Sequence, residues 1–589
     1  MALGVALAAL GTLPAVDAIV PWVFGIVDRI AWVDLWRPVY NPEPMDTYAY
    51  RPLSVAILKV ALALTRDSMV LTAIHGLTLA VFGVVARRWL VELGLGAVAT
   101  VAAASAMLVP SLLFSAWLAV EFDLVGAVFV LMAVRRTSTR AVWGYAVVAL
   151  LVKETSALQL IAFLAAAAAV QRDRASLVRL GGCFALLLVF TAPMHFVGEA
   201  SSTAFTVFRD GFHPVRIAAI LFHTVCQALF VLSPAGALLL AVRGRAGYVA
   251  LALTVALFAL SPVTRHYSHF EAVIFDAWPL ALAGCLAIAV GLVRALDGPL
   301  RAPALAAIFT LLGYAAAPVL LRFARADVSA RIFAALVPLL FGLAWDAART
   351  AWQTPRQRVV AGLLGGALAL SVLGAGVGTL AFHRTRLLVE DAVKSQLARD
   401  IRMACPALIA TNPVQLTTVE ELRLRGARLG ECAWIETTTT NPPTGTGLAA
   451  FAEAGALAVD PGQDAYLLVQ TARSLAPPEV AERLMGDFGW AYDFMPEADD
   501  DLITSYRRMI YEPITDLESV FEKEGVRVAA ASLPLIQPPL FWSDLPARLW
   551  SGLPVFERFD YVGRVYRVDA RRPGFVPHGG RVRRDHRPR

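Results

Sequence analysis

Residues 141–170 read AVWGYAVVALLVKETSALQLIAFLAAAAAV. Two apolar runs flank one charged doublet, Lys153 and Glu154. The pattern predicts two helices, over 141–153 and 155–170, that meet at a turn carrying the doublet. Ionisable side chains in so apolar a setting are costly to desolvate and mark functional sites more often than in water-soluble chains. Solvation of the pair by lipid headgroups is the alternative reading.

Moving outward, the same texture repeats. The chain has 589 residues, 58% of them hydrophobic and 17% charged, where a soluble domain carries nearer a quarter charged. A helix needs about 20 apolar residues to cross a bilayer. Runs of this kind are expected at 68–86, 96–119, 123–134, 141–153, 155–170, 179–198, 216–242, 247–263, 272–293, 303–321, 329–348 and 358–382, after a first helix near the N-terminus. An A-x-A-like "AVDA" closes that first run and gives it a signal-peptide reading as well. The net charge of +6 leaves no nucleic-acid footprint, because basic loops of a membrane protein account for it.

Every second junction is basic: Arg87 and Arg88; Arg135, Arg136 and Arg140; Arg172, Arg174 and Arg179; Arg243 and Arg245; Arg294 and Arg301; Arg349, Arg356 and Arg358. The Lys/Arg bias of loops assigns these to the cytoplasm. The intervening junctions mix acids with bases and fall on the opposite side. About 13 crossings then place everything after the last span outside the inner (plasma) membrane. The division expected is a membrane domain over 1–382, an extracytoplasmic α/β domain over 383–575 and a basic, disordered tail over 576–589.

One outer mouth collects the polar groups. It holds Glu121 and Asp123 of "AVEFDLVG", the Lys153–Glu154 turn, Arg331 at the start of a span, and the first outer loop with Asp17, Asp46 and Arg51. "LSVAILKVALALT" after Arg51 is too short to span and reads as an interfacial helix. Carboxylates can take a proton from a hydroxyl, and Arg or Lys can stabilise a phosphate leaving group. A proton-coupled transporter also gathers acids and arginines in a helix bundle, so transport or flipping of a lipid-linked glycan stands as an alternative. A membrane anchor presenting its tail as an interaction module is a third class.

The order "YRPLS", "AIHGLTLAVFGVVARRWL", "LVPSLLFSAWLAVEFDLVGAVFVLMAV" and "ALLVKETSALQL", followed by "DVSARIFAALVPLLFG", resembles the membrane half of GT-C glycosyltransferases. The pattern is nearest to bacterial relatives of the TPR-containing protein O-mannosyltransferases. The likeness covers roughly residues 10–350. It implies a hexosyl or pentosyl transferase that takes sugar from a polyprenyl-phosphate donor, with inversion, and gives it to an extracytoplasmic hydroxyl acceptor. It implies a catalytic base in the first outer loop, Asp17 or Asp46, with Asp123 and Glu154 as further catalytic carboxylates. Arg51, Lys153 and Arg331 become donor-phosphate ligands, and Glu121 and His75 line the cavity. Glu121 stands where the family has a basic residue, and the family's Asp doublet and TPR array are missing. A divalent cation is left open as a cofactor. Adjacent helical residues point about 100° apart, so Glu154 is expected to face the cavity and Lys153 the membrane rim.

The tail reads differently. "ARDIRMACPALIATNPVQLTTVEELRLRG" suggests helix, strand, helix. "AYLLVQTA", "VRVAAASLPLI" and "YVGRVYRVDA" suggest strands by their β-branched and aromatic content. "PPEVAERLMGDFG" fits a helix, and the acidic run "EADDDLI" a solvated turn. No G-x-G-x-x-G, P-loop or G-x-S-x-G occurs there. Cys405 and Cys432 can pair in an oxidising compartment.

Overall fold

A computed structural model describes residues 27, 31–36, 52–64, 69–109, 112, 122–196, 234–240, 245–259, 278–321, 334–410, 419–433, 435–437, 463–474, 516–537, 549 and 557–569. The described residues divide into two compact units, one up to Leu380 and one from Ala381 onward.

The first unit is helical. After a 3-10 turn at Trp32–Trp36 come α1 (Pro52–Leu64), α2 (Met69–Glu92), α3 (Ala99–Met107), α4 (Asp123–Val134), α5 (Thr139–Val152), α6 (Glu154–Gln171) and α7 (Arg174–Phe196). Then follow α8 (Arg245–Ala259), α9 (Trp278–Ala295), α10 (Arg301–Leu321), α11 (Val337–Ala351) and α12 (Pro355–Asp400), whose residues from Ala381 belong to the second unit. Local chemistry sets several boundaries. Asp173 Oδ1 accepts from the Ser176 amide at 2.6 Å and caps the start of α7. At the start of α12, the Gln357 amide donates to Thr354 Oγ1 at 3.3 Å and the Thr354 amide donates to Gln357 Oε1 at 3.2 Å. This is a reciprocal capping box, with Pro355 in the first helical position.

Among the described residues, one helical stretch, Ala73–Glu92, is long and apolar enough to cross a membrane. Two expected spans are short: α4 has 12 residues and α5 has 14. At 1.5 Å per residue they cover about 18 and 21 Å, against a hydrocarbon core of about 30 Å. The run expected over 96–119 is helical over Ala99–Met107. The helix expected to end near 382 runs on to Asp400. Loss of apolarity marks a change of surroundings rather than the end of a helix. "RLLVEDAVKSQLARD" is rich in helix formers and lacks Gly and Pro until Pro406.

Three basic junctions share one end of this bundle. Arg135 binds Glu92 through Nε and Nη2, at 2.9 and 2.5 Å. Arg179 donates to the Thr137 carbonyl and, at 3.3 Å, to Thr139 Oγ1. The indole of Trp143 donates to the Arg179 carbonyl at 3.3 Å.

The second unit is built on a five-stranded mixed sheet: β1 (Ala407–Ala410), β2 (Ile435–Thr437), β3 (Ala465–Ser474), β4 (Val526–Gln537) and β5 (Glu557–Val568), in the order β2-β1-β3-β5-β4. β1 runs parallel to β2 and β3, while β5 is antiparallel to both β3 and β4. The three long strands and the helix–strand–helix start follow the sequence expectation. α13 (Val419–Leu424) lies between β1 and β2, and α14 (Asp516–Glu524) precedes β4. The end of α12 packs on the sheet at Gly563, where an added Cβ would lie 2.8 Å from Val389 Cγ1. "PPEVAERLMGDFG", "EADDDLI" and the tail over 576–589 lie outside the described residues.

Charges are buried here in compensated groups. Lys394, fully buried, donates to Glu390 at 3.3 Å and Glu421 at 3.0 Å. The Tyr561 hydroxyl donates to Glu390 at 3.2 Å. Glu518, also fully buried, accepts from Arg564 at 2.7 Å and from the Tyr566 hydroxyl at 2.9 Å. Burial, then the neighbouring Glu518 carboxylate, push the Tyr566 phenol up to about 12. Cys405 and Cys432 form a disulfide with a Cα–Cα distance of 5.6 Å, well within the usual range.

Candidate active site

The charged doublet Lys153–Glu154 lies at a break between helices. Lys153 is the one extended residue between α5 and α6, with φ −163° and ψ 133°. Its amide donates to Ala149 and so closes α5, and its carbonyl accepts from the Ser156 amide at 3.1 Å. Because Lys153 is not helical, the 100° spacing argument does not apply to it. The expected turn toward the membrane rim is replaced by burial. Lys153 is 7% exposed, Asp123 is 2% exposed, and Lys153 Nζ lies 2.8 Å from Asp123 Oδ2.

Asp123 opens α4, where a negative charge also suits the helix dipole. Its neighbour Phe122 packs its ring on the imidazole of His75 at 4.8 Å, tilted by 51°. His75 is fully buried in α2. Three sequence segments thus converge, with α4 pressed on α6. An added Cβ on Gly126 would lie 1.9 Å from Ser156 Oγ, so glycine is what permits this approach.

Two further contacts tie the junction to its surroundings. The Ser54 hydroxyl, three residues beyond Arg51, donates to the Val152 carbonyl at 2.7 Å in a buried bond. The Ala335 amide, four residues beyond Arg331, donates to Gln159 Oε1 at 3.3 Å, also buried. Ser54 and Gln159 were not singled out in the sequence. The available signal was a polar side chain inside an apolar helix, at positions 156 and 159 of one helical face. Lys59 anchors α1 from its other side, donating to the Val27 carbonyl at 2.9 Å and lying 5.5 Å from the Trp32 ring centroid.

Of the residues expected at the mouth, Asp123, Lys153 and His75 come together. Glu154 is the first residue of α6, and its side chain lies outside what the structure describes. Asp17, Asp46, Arg51, Glu121 and Arg331 also lie outside the described residues. Among the described residues, no group of three His, Cys, Asp or Glu side chains is placed to hold a metal ion.

Chemically, the Lys153 ammonium lies against the buried carboxylate and holds it in place. A compensated pair of this kind is far cheaper to bury than either charge alone. It leaves the pair with little net charge to offer a phosphate.

No family model matches the chain, and no curated protein matches it. Solved structures similar to it are those of ArnT from Cupriavidus metallidurans, bound to undecaprenyl phosphate (TM-score 0.39) and in the apo state (TM-score 0.31). Each is 15% identical, with 81% of this chain and 96% of that chain covered. At these values the likeness by itself fixes neither the fold nor the activity of this chain.

Proposed function

We propose that the chain is an integral membrane glycosyltransferase of the GT-C type, working on a polyprenyl-phosphate-linked sugar at an extracytoplasmic mouth. The observation that carries the reading is the buried Lys153–Asp123 pair. The segments following Arg51 and Arg331 are bonded to the two helices flanking it, through Ser54 and Gln159. Ser54 and Ala335, from distant parts of the sequence, thus bond to the two helices that meet at Lys153.

In this reading a first-loop carboxylate, Asp17 or Asp46, takes the proton of the acceptor hydroxyl. The hydroxyl oxygen attacks the anomeric carbon, the bond from that carbon to the phosphate oxygen breaks, and polyprenyl phosphate leaves with its electron pair. Attack opposite the leaving group inverts the centre. Asp123, held by Lys153, orients the acceptor or the base, and Glu154 assists it. With Lys153 committed to Asp123, the donor phosphate falls to Arg51 and Arg331. His75 and Glu121 shape the cavity.

The test is transfer by the purified full chain, with a polyprenyl-phosphate sugar and extracted envelope glycans, lipids or proteins as acceptors. Turnover per folded protein that vanishes in Asp123→Asn and Glu154→Gln supports the assignment. Full turnover in both removes these carboxylates from the chemistry. The side is tested separately: a cysteine placed after Asp569 should react with an impermeant thiol reagent in intact cells. Labelling only after lysis overturns the outer placement.

One observation favours a second reading, transport or flipping of the lipid-linked glycan. A break between two helices with paired ionisable groups beside it also suits a secondary transporter's binding site. Movement of labelled lipid-linked glycan across proteoliposomes, with no sugar transferred, would select it.

A further inference from the structure

At the bundle end opposite the Lys153 junction, three loops are tied together by Arg135–Glu92 and Arg179–Thr137. They gather Arg87, Arg88, Arg135, Arg136, Arg140, Arg172, Arg174 and Arg179 against two carboxylates, Glu92 and Asp173. Glu92 is held by Arg135, and Asp173 is used in capping α7. The exposed arginines Arg88, Arg136, Arg140, Arg172 and Arg174 thus outnumber the carboxylates that these loops offer them.

Mutual repulsion opposes such a gathering unless an anion answers it. Arg172 sharpens the point. It closes α6 in the left-handed conformation, φ 52°, where glycine sits without strain. An arginine kept there supplies a guanidinium that glycine lacks.

The surroundings identify the anion. Arg136 lies 5.8 Å from the ring of Tyr145, and Trp143 is half-buried beside Arg179, the aromatic setting of a membrane interface. Leu177 and Val178, within a turn of Arg174, are 58% and 44% exposed, as is Val91 beside Glu92 at 45%. Exposed arginines and exposed apolar side chains thus share this end of the bundle, the combination that a phosphate headgroup with acyl chains calls for.

We infer that this end of the bundle is a binding site for an anionic phospholipid, its phosphate held by Arg136, Arg140, Arg172 and Arg174 and its chains laid on Leu177 and Val178. The inference rests on the membrane reading but not on sugar transfer, so an inactive enzyme leaves it standing.

The test is native mass spectrometry of the full chain in detergent with equal amounts of phosphatidylglycerol and phosphatidylcholine. The wild type should retain phosphatidylglycerol in preference. Each arginine replaced by glutamine should weaken that preference about fivefold, and the quadruple variant R136Q/R140Q/R172Q/R174Q should abolish it. The single variants Arg140→Gln and Arg174→Gln keep the test sound if the quadruple variant is not made by cells. An unchanged preference in the variants overturns the site. Displacement of the lipid by millimolar inorganic phosphate overturns the lipid assignment in favour of a free-phosphate site.

Discussion

Lys153 and Asp123 close a buried ion pair at 2.8 Å across 30 residues of sequence. Removing one partner leaves the other charge buried without its counter-charge in this pair. Lys153→Met alone should cost about 3–5 kcal/mol of stability, while Lys153→Met with Asp123→Leu should recover most of it. Thermal unfolding of both variants in detergent measures this. Equal losses in the single and double variants would show that packing, not charge, holds the junction.

The bond from Ser54 to the Val152 carbonyl should be worth about 1 kcal/mol, so Ser54→Ala is mildly destabilising and Ser54→Thr nearly neutral. Gln159→Ala should cost more, about 1–3 kcal/mol, because the buried Ala335 amide loses its acceptor. If the proposed reaction holds, both should lower turnover beyond what their folded fractions explain. Activity tracking folded protein alone would make them structural bonds only.

Gly126→Ala forces a methyl into Ser156 Oγ and should destabilise the first unit by about 1–3 kcal/mol. Ser156→Gly in the same chain should restore it. Failure of that rescue would mean that α4 and α6 do not meet at these two residues.

The disulfide Cys405–Cys432 closes a loop over a sequence separation of 27 and should contribute about 3–4 kcal/mol to the second unit. Paired Cys→Ser substitution should lower its unfolding midpoint, and reductant should lower the wild type to the same value. Insensitivity to reductant would show that the thiols are unpaired in the protein as made.

The Tyr566 phenol, raised to about 12 from an ordinary 10, gives an alkaline signature. A raised value means that the folded state holds the proton more tightly. The stability this contributes is whole below pH 10 and is lost as pH climbs through about 12. A near-ultraviolet titration of wild type against Tyr566→Phe should lose one late-ionising tyrosine. Loss of an ordinary one would show that Glu518 does not face that hydroxyl.

Strand and helix identities were legible where the pattern was purely local. β3, β4 and β5 stood out by β-branched and aromatic residues, and α5 and α6 by apolar runs. The end of α12 was not, because the apolar period stops near 382 while the helix-forming residues continue. At the candidate site, the residue types and their sequence order pointed to Asp123 and Lys153. Their mutual contact was hidden, since one extended residue at 153 redirects a side chain that helical geometry sends elsewhere. Ser54 and Gln159 bond to backbone atoms 98 and 176 residues away, and no local pattern encodes such partners.

Among the described residues β5 is the last strand in sequence, yet it lies between β3 and β4. Neither neighbour has its full ladder until residues 557–568 arrive. During synthesis β3 and β4 therefore emerge with open edges, and Lys394, Glu390 and Glu518 wait beside them without Tyr561, Arg564 and Tyr566. Such edges invite pairing with other chains. The second unit is thus a late-closing structure: a chain stopped short of Glu557 loses the middle of the sheet rather than its margin.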